Sequence, residues 1–276
     1  MKKIIKVITF CLFSMVVGDQ VWAIDILAHR GASGEYPQGT SLAFDMALDQ
    51  GADILELDIH LSKDHFIIIN HDADLKDNVG ISDKIEDLTI GEIKTMDAGY
   101  VFTLDNGETY PYRNQGLALL TLNELFERYP NALFNIEIKP NDKLLSETLW
   151  QVIVDYRMEQ QVTVASQHNR AMNHFRDISQ GKVRTSATIG ELVEASLAWS
   201  SGFGWAFNPD FDVAQLPYSI TTKPYVRFFQ SKGVAVDLWT VNDMDDIKRS
   251  ISLGVDGIIG DYPGRIYQAL EEVGER

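Results

Sequence analysis

The stretch 24-IDILAHRGASGEYPQGTSLAFDMALDQGADILELD-58 decides the fold. Short apolar runs lie at Ile26 to His29 and at Ile54 to Asp58, and a helical pattern lies between them at Thr40 to Asp49. A strand, a helix and a second strand in this order are typical of two parallel strands joined by a helical crossover. This unit therefore predicts a parallel sheet whose strands alternate with helices.

The same alternation continues along the rest of the chain. Strands are predicted at Ile26 to His29, Ile54 to Asp58, Leu133 to Lys139, Val162 to Ser166, Val183 to Thr188, Trp205 to Asn208, Val234 to Thr240 and Gly257 to Ile259. Helices are predicted at Thr40 to Asp49, Lys143 to Tyr156, Asn169 to Ile178, Ile189 to Trp199, Lys223 to Ser231, Asp243 to Ser252 and Gly264 to Glu272. Eight strand-helix units in about 250 residues predict an α/β fold of the (β/α)8 type, a TIM barrel, with its active site at the carboxyl ends of the strands.

A ninth strand-like run, Phe66 to Asn70, departs from this alternation. It follows Ile54 to Leu61 after only Ser62 to His65, a link too short for a parallel crossover but suited to a hairpin. If a four-residue loop sets the register, the numbers of paired residues sum to about 127, which places His71 opposite Glu56. We therefore predict a β-hairpin in the second unit.

Residues 72–120 are irregular and rich in turn sequences. One helix-like piece, Thr89 to Met96, interrupts them. Long loops on a barrel usually serve binding, so we expect this segment to form a small insertion on the catalytic face.

Composition and charge restrict the classes of function. The chain has 276 residues, of which 45% are hydrophobic and 23% are charged, as in ordinary globular proteins. Acidic residues outnumber basic ones by 40 to 24, and the net charge of −16 opposes non-specific attraction to nucleic acids or anionic lipid. We expect a small-molecule substrate and no nucleic-acid partner, and the sequence leaves the oligomeric state open.

The first residues have the pattern of a secretory signal. Three lysines among the first six residues precede an apolar run from Val7 to Val17, and a small-residue cleavage site ends at Ala23. This run is shorter than the ~20 residues that span a bilayer, which favours a cleaved signal peptide. The alternative is a membrane anchor that is retained. We predict a signal peptide at 1–23, a barrel domain at 24–276, a periplasmic or secreted location and no stable membrane insertion after cleavage. Cleavage would remove Cys11, the single cysteine, and with it any thiolate metal site.

Three carboxylates fall at predicted strand ends. Glu56 and Asp58 are two apart on one strand and so project to the same face, and Glu137 holds a similar place on another strand. Carboxylate oxygens at a barrel mouth suit a hard cation such as Ca²⁺ or Mg²⁺, whereas thiolates are absent and histidines are too few nearby to favour zinc. The alternative is that Glu56 and Asp58 are solvated ends of an edge hairpin.

Four basic or imidazole side chains fall at the same predicted edge. His29 and Arg30 end the first strand, His71 follows the hairpin, and Lys139 is two residues after Glu137. A histidine near neutral pKa and a permanent guanidinium suit acid-base chemistry and phosphate binding. The other four histidines (His60, His65, His168 and His174) are expected to be structural.

Six stretches of the chain resemble, in order and spacing, the glycerophosphodiester phosphodiesterase family. They are Ala28-His29-Arg30-Gly31-Ala32, Gly51-Ala52-Asp53-Ile54-Leu55-Glu56-Leu57-Asp58, Asn70-His71-Asp72, Asn135-Ile136-Glu137-Ile138-Lys139, Trp239-Thr240-Val241-Asn242 and the segment from Gly254 to Pro263. The resemblance covers nearly the whole chain after residue 23. It implies a (β/α)8 barrel that uses one divalent cation, Ca²⁺ or Mg²⁺, to hydrolyse glycerophosphodiesters to sn-glycerol 3-phosphate and an alcohol.

The resemblance also implies roles for individual residues. His29 and His71 match the catalytic pair, and our own hypothesis is that His71 is the acid. Glu56, Asp58 and Glu137 match the metal ligands. Arg30 and Lys139 match the residues that hold the phosphate, and Trp239 matches an aromatic that packs against the glycerol. The nucleophile, water or a substrate hydroxyl, is left open.

One motif departs from the family pattern. The family usually has Pro-Glu-Asn-Thr after the first strand, and this chain has Pro37-Gln38-Gly39-Thr40. The alternatives are a phosphodiesterase acting on intact phospholipids, a binding protein that has lost turnover on the same barrel, and, on the carboxylates alone, a sugar hydrolase.

Overall fold

The computed structural model describes residues 23–276, and within them eight parallel strands form a barrel. These strands are β1 (Asp25–His29), β2 (Ile54–Leu61), β4 (Leu133–Ile138), β5 (Val162–Ala165), β6 (Arg184–Thr185), β7 (Val213–Pro217), β8 (Ala235–Trp239) and β9 (Gly257–Gly260). Their order is β6-β5-β4-β2-β1-β9-β8-β7. The two end strands meet where Ser186 bridges Val213, and Ala187 N–H donates to Val213 O at 2.8 Å. The predicted barrel is confirmed.

Helices follow the strands around the outside of the barrel. They are α1 (Ser41–Asp49), α4 (Leu122–Arg128), α5 (Lys143–Tyr156), α6 (Asn169–Ser179), α7 (Ile189–Ser200), α8 (Lys223–Gln230), α9 (Met244–Leu253) and α10 (Pro263–Val273), with the shorter α2 (Lys76–Val79) and α3 (Ile90–Ile93). Thr40 caps α1 by accepting from Ala43 N–H, and Thr121 forms a capping box with Glu124 at the start of α4. Within residues 23–276 no helix has the length and apolar character needed to cross a membrane.

The hairpin exists, but its predicted register is wrong by one residue. Strand β3 (Ile67–Ile69) is antiparallel to β2, and Ile59 lies opposite Ile69. Ser62 N–H donates to Phe66 O at 2.9 Å, so the turn has three central residues instead of four. The third of them, His65, has φ +66°, the left-handed residue that such turns require. His71 therefore lies beyond the ladder rather than opposite Glu56.

The predicted strand Trp205 to Asn208 is also wrong. This segment contains a short 3-10 helix at Gly204–Ala206, and Trp205 is 78% exposed. The sixth of the eight barrel strands is instead β7, which contains Gln215 and ends at Pro217. Gln215 Nε2 donates across the barrel interior to Asn135 Oδ1 at 3.0 Å, so a polar residue is satisfied inside the sheet.

The insertion has a core of its own. After β3, buried Leu75, Ile85, Ile93, Ala98 and Leu119 pack with Ile68 of the hairpin. The helix expected at Thr89 to Met96 is the short α3, which Thr89 caps. Because this cluster is anchored on β3, the insertion lies beside the carboxyl ends of the strands. The predicted signal peptide lies outside the described residues except for Ala23.

Candidate active site

One cavity at the carboxyl ends of the strands contains every predicted site residue. Its volume is about 240 Å³. Its lining includes His29, Arg30, Glu56, Asp58, His71, Glu137, Lys139 and Trp239. They come from β1, β2, the segment after β3, β4 and β8. Parallel strands end at one face of a barrel, and this brings residues more than 200 positions apart into one site.

The three carboxylates form a tight cluster. Glu56, Asp58 and Glu137 each offer an oxygen within 4.8 Å of the others. The sheet fixes this arrangement, because Asp58 and Glu137 are register partners on β2 and β4. Glu56 and Asp58 are only 4% and 2% exposed. Burial, followed by the neighbouring charge of Asp58, raises the pKa of Glu56 to about 8.

Two cations lie against this cluster. Lys139 Nζ is 3.4 Å from Asp58 Oδ1 and 3.3 Å from Glu137 Oε2. Burial alone would lower the pKa of Lys139, but these two carboxylates outweigh it and raise the pKa. Arg30 Nε is 3.2 Å from Asp58 Oδ2, yet the two atoms are not in hydrogen-bonding geometry and both are buried without a hydrogen bond. Asp58 therefore forms ion pairs with both Lys139 and Arg30, but it does not accept a hydrogen bond from Arg30 Nε.

The backbone at Arg30 is held in an unusual conformation. Arg30 has φ +58°, in the left-handed region that side chains other than glycine seldom occupy. Its N–H donates to Glu56 O and to Glu56 Oε2, each at 3.0 Å. Its Nη1 donates to Gln38 Oε1 at 2.8 Å. These contacts hold the guanidinium against the cavity. Gln38, one of the residues at which the chain departs from the family pattern, therefore positions Arg30.

His29 is held by a carboxylate from the other end of the chain. His29 Nδ1 lies 2.6 Å from Asp261 Oδ1, and Ser33 Oγ and Asn242 Nδ2 donate to the same carboxylate at 3.1 and 2.6 Å. Burial by itself lowers the pKa of His29. The hydrogen bond that Asp261 accepts from His29 and the charge of Glu56 outweigh burial, so the pKa of His29 is raised. His29 is therefore the imidazole that retains its proton more readily.

His71 has the opposite electrostatic balance. Its Nδ1 lies 2.9 Å from Asp72 Oδ1, and its carbonyl oxygen lies 3.1 Å from Nε2 of His60. Burial, together with the charges of Arg30 and Lys139, lowers its pKa despite the carboxylates around it. His71 therefore favours the neutral form, with Nδ1–H toward Asp72 and Nε2 available to accept a proton.

Sequence reasoning missed the residues that orient the two histidines. Asp261 directly follows β9, at the same barrel end as the other site residues. Its position at a strand end could have indicated that it belongs to the site. Asp72 directly follows His71. Asn242 lies in the stretch Trp239 to Asn242 that resembles the family, but its contact with Asp261 depends on the conformation of the loop after β8.

Comparison with known proteins identifies the family. The sequence profile of the "Glycerophosphoryl diester phosphodiesterase family" matches residues 29–265. The chain belongs to this family. A glycerophosphodiester phosphodiesterase of Caldanaerobacter subterraneus subsp. tengcongensis is 32% identical over 258 residues, which are 90% of this chain and 98% of the relative.

Two further relatives widen the comparison. A lysophospholipase D of Rattus norvegicus is 24% identical over 274 residues, which are 90% of this chain and 86% of the relative. The solved structure of an Oleispira antarctica phosphodiesterase in complex with the product sn-glycerol-3-phosphate aligns with a TM-score of 0.70 and 23% identity, covering 90% of this chain and 96% of that one. The family resemblance is confirmed, and this member of the family is an enzyme of the phosphoric diester hydrolase class.

Proposed function

We propose that the protein hydrolyses glycerophosphodiesters to sn-glycerol 3-phosphate and an alcohol with the help of a divalent cation. The observation that carries the proposal is the single cavity in which two histidines, two cations and three carboxylates meet. Family membership supports the reaction class. The solved Oleispira antarctica relative with sn-glycerol-3-phosphate supports the product.

The carboxylate cluster fits a hard cation. Glu56, Asp58 and Glu137 supply oxygen ligands alone, as Ca²⁺ and Mg²⁺ prefer. Asp58 Oδ2 is buried and accepts no hydrogen bond, so the protein by itself leaves this oxygen unsatisfied. A cation bound there would act as a Lewis acid and would offset the negative charge that develops on the phosphate oxygens during the reaction.

The two histidines divide the proton transfers. In our proposal His29, whose pKa is raised, donates a proton to the departing alkoxide, and His71, whose pKa is lowered, accepts a proton from the nucleophile. This reverses the assignment of His71 as the acid. Arg30 and Lys139 hold the phosphate oxygens and offset the charge that develops there. Trp239, 41% exposed at the rim, offers a face to the glycerol.

A second candidate substrate is a lysophospholipid. Ile189 and Leu192 of α7 line the same cavity, and Ile189, Val193 and Leu197 are 54%, 53% and 64% exposed. These three residues are four apart, so they form one apolar stripe that leads away from the cavity along α7. An acyl chain on the glycerol would bury part of this stripe. The rat lysophospholipase D relative supports this candidate.

The location of the protein is part of the proposal. An apolar run behind lysines in residues 1–23 supports export to the periplasm or the exterior. Sequencing the amino terminus of the protein from exported fractions tests this, with Ile24 as the expected first residue.

The test of function uses protein beginning at Ile24, assayed with Ca²⁺, Mg²⁺ or chelator. We expect cation-dependent release of sn-glycerol 3-phosphate from glycerophosphocholine and glycerophosphoethanolamine. Release of lysophosphatidic acid from lysophosphatidylcholine at higher kcat/KM would favour the second candidate, and Leu197→Ser should then lower that activity alone. Folded protein that releases neither product with either cation would refute both candidates.

A further inference from the structure

Exposed apolar side chains are concentrated along α7 and just beyond its end. The apolar stripe on α7 is continued there by Phe203 and Trp205, which are 63% and 78% exposed. The surface that we call the α7 face consists of Ile189, Val193, Leu197, Trp199, Phe203 and Trp205, each at least 41% exposed. A large exposed apolar surface on a soluble protein marks a site that binds another protein or a membrane.

The fold holds the two aromatic side chains beyond α7 in place. Gly204 lies between Phe203 and Trp205, in the short 3-10 helix. A Cβ atom on Gly204 would lie only 2.9 Å from the ring of Phe228, so this segment packs closely against α8. Lys232 Nζ, from the turn after α8, donates to Trp205 O at 3.1 Å. The backbone is therefore anchored, while the side chains on either side of Gly204 project into solvent.

The α7 face begins at the rim of the active-site cavity. Ile189 and Leu192 line that cavity. At about 1.5 Å of rise per residue, the stripe extends about 12 Å along the helix from Ile189 to Leu197. A partner protein or a second copy of this chain seated on the stripe would also cover this part of the rim. A lipid surface is fluid, so it can cover the stripe and still let a substrate pass into the cavity.

The charges around the α7 face distinguish between kinds of lipid. Residues 185–222 include no lysine, arginine or histidine. Of the two carboxylates on α7, Glu191 is paired with Arg176, and Glu194 is exposed. Attraction to anionic lipid requires clusters of basic residues, which this segment lacks. Tryptophan is instead enriched where hydrocarbon meets water, whatever the charge of the lipid. The α7 face therefore suits a lipid surface without net charge.

We propose that the α7 face docks the protein on a zwitterionic lipid surface, such as a bilayer of phosphatidylcholine or phosphatidylethanolamine. This interaction goes beyond the proposed hydrolysis, because it needs no turnover. Phe203 and Trp205 enter the headgroup region, and the stripe from Leu197 to Ile189 joins the lipid to the rim of the cavity. A substrate released from the lipid can then reach the cavity along an apolar path.

Cosedimentation with vesicles tests the proposal, with protein beginning at Ile24. The vesicles consist of phosphatidylcholine alone or of phosphatidylcholine with phosphatidylglycerol. We expect the wild type to bind the neutral vesicles and the anionic lipid to give no stronger binding. Phe203→Ser and Trp205→Ser should each weaken binding by about tenfold, because each removes a large apolar side chain that the lipid buries.

Phe66→Ser is the matched control. Phe66 is also exposed, in the turn between β2 and β3, and β2 is three strands away from β6, which precedes α7. This variant should bind vesicles as the wild type does. Absence of wild-type binding to neutral vesicles, binding that increases with the fraction of phosphatidylglycerol, or equal binding by Trp205→Ser and the wild type would overturn the proposal.

Two measurements without vesicles complete the test. Sedimentation velocity shows whether a second copy covers the α7 face: a wild-type dimer that Trp205→Ser converts to monomers would overturn lipid docking. Release of sn-glycerol 3-phosphate from soluble glycerophosphocholine should be the same in Phe203→Ser, Trp205→Ser and the wild type. If the folded wild type releases none, the proposed function fails, whereas the vesicle result still decides whether the α7 face binds lipid.

Discussion

Replacement of Glu56 by glutamine is expected to separate two effects of the carboxylate cluster. One is the loss of folding stability that the buried charges cause, and the other is the binding of a cation. The pKa of Glu56 is about 8 in the folded protein and 4.5 in its ordinary state. Below about pH 4.5 the carboxyl is protonated in both the folded and the unfolded chain. Between these two values the unfolded chain releases a proton that the folded chain retains, so the free energy of unfolding falls as pH rises.

The size of the effect follows from the pKa difference. At about 1.4 kcal/mol per pH unit, the loss of stability between pH 4.5 and pH 7 is about 3 kcal/mol in the absence of a cation. Glu56→Gln stays neutral, and its carbonyl oxygen can still accept from Arg30 N–H. The variant should therefore be more stable than the wild type in chelator at pH 7, with a melting temperature raised by up to roughly 10 °C.

A cation should reverse this relation. The wild type gains stability when a ligand binds its folded state, by about 3 kcal/mol at one hundred times the dissociation constant. Glu56→Gln has lost one of the three carboxylates and should lose most of the melting-temperature increase caused by Ca²⁺ or Mg²⁺. Differential scanning calorimetry at pH 5 and pH 7, with chelator and with each cation, measures both effects.

Asp237→Asn provides the matched control. Asp237 is also buried, its pKa is raised to about 7, chiefly by burial, and it lines a separate cavity of about 40 Å³ in the barrel. Its replacement should stabilise the protein in chelator at pH 7 but leave the cation-dependent increase intact. A Glu56→Gln variant that melts below the wild type in chelator at pH 7, or that keeps the full cation-dependent increase, would refute the reasoning.

Three further predictions concern turnover. His29→Ala and His71→Ala should each lower kcat by about 10²- to 10⁴-fold without unfolding the protein, as activity assays with circular dichroism would show; wild-type turnover in either variant would remove that histidine from the mechanism. Asp261→Asn removes the negative charge beside His29 and replaces a charged acceptor by a neutral one, so the pKa of His29 should fall and the descending limb of the pH profile of kcat/KM should move to lower pH; an unmoved limb would contradict the assignment of His29 as the acid. Gln38→Ala removes the acceptor of Arg30 Nη1 and should raise KM for the diester by about threefold to tenfold with a smaller change in kcat, whereas a fall in kcat at constant KM would contradict a role in holding the phosphate.

Sequence periodicity predicted the barrel because most of its strands are apolar runs between helices. It failed at β7 for a physical reason. Gln215 faces a partner 80 residues away, Asn135, and a local pattern cannot show that this polar side chain is satisfied inside the barrel. The aromatic segment around Trp205 has strand-like composition, yet it lies at the surface and forms a short helix. The sixth barrel strand is therefore stabilised by a tertiary contact that the local sequence pattern does not contain.

The site was more predictable than the hairpin that contributes to it. Parallel strands place their carboxyl ends together whatever the details of the loops, so Glu56 and Glu137 could be brought into one site from strand positions alone. The register of β3 instead depends on whether one residue, His65, adopts the left-handed conformation. The contacts of Asp261 and Gln38 likewise depend on loop conformation, which strand periodicity does not specify.

The charges of the site explain why phosphate binding and cation binding should depend on each other. Arg30 and Lys139 are the groups available to hold a phosphate, and both lie within ion-pair distance of Asp58. An incoming phosphate must therefore compete with Asp58 for these two side chains. A divalent cation held by Asp58 would weaken that competition. It would also offset the negative charge of the other two carboxylates of the cluster, Glu56 and Glu137. Because coupling between two ligands is reciprocal, a phosphate that binds better with the cation must also strengthen cation binding.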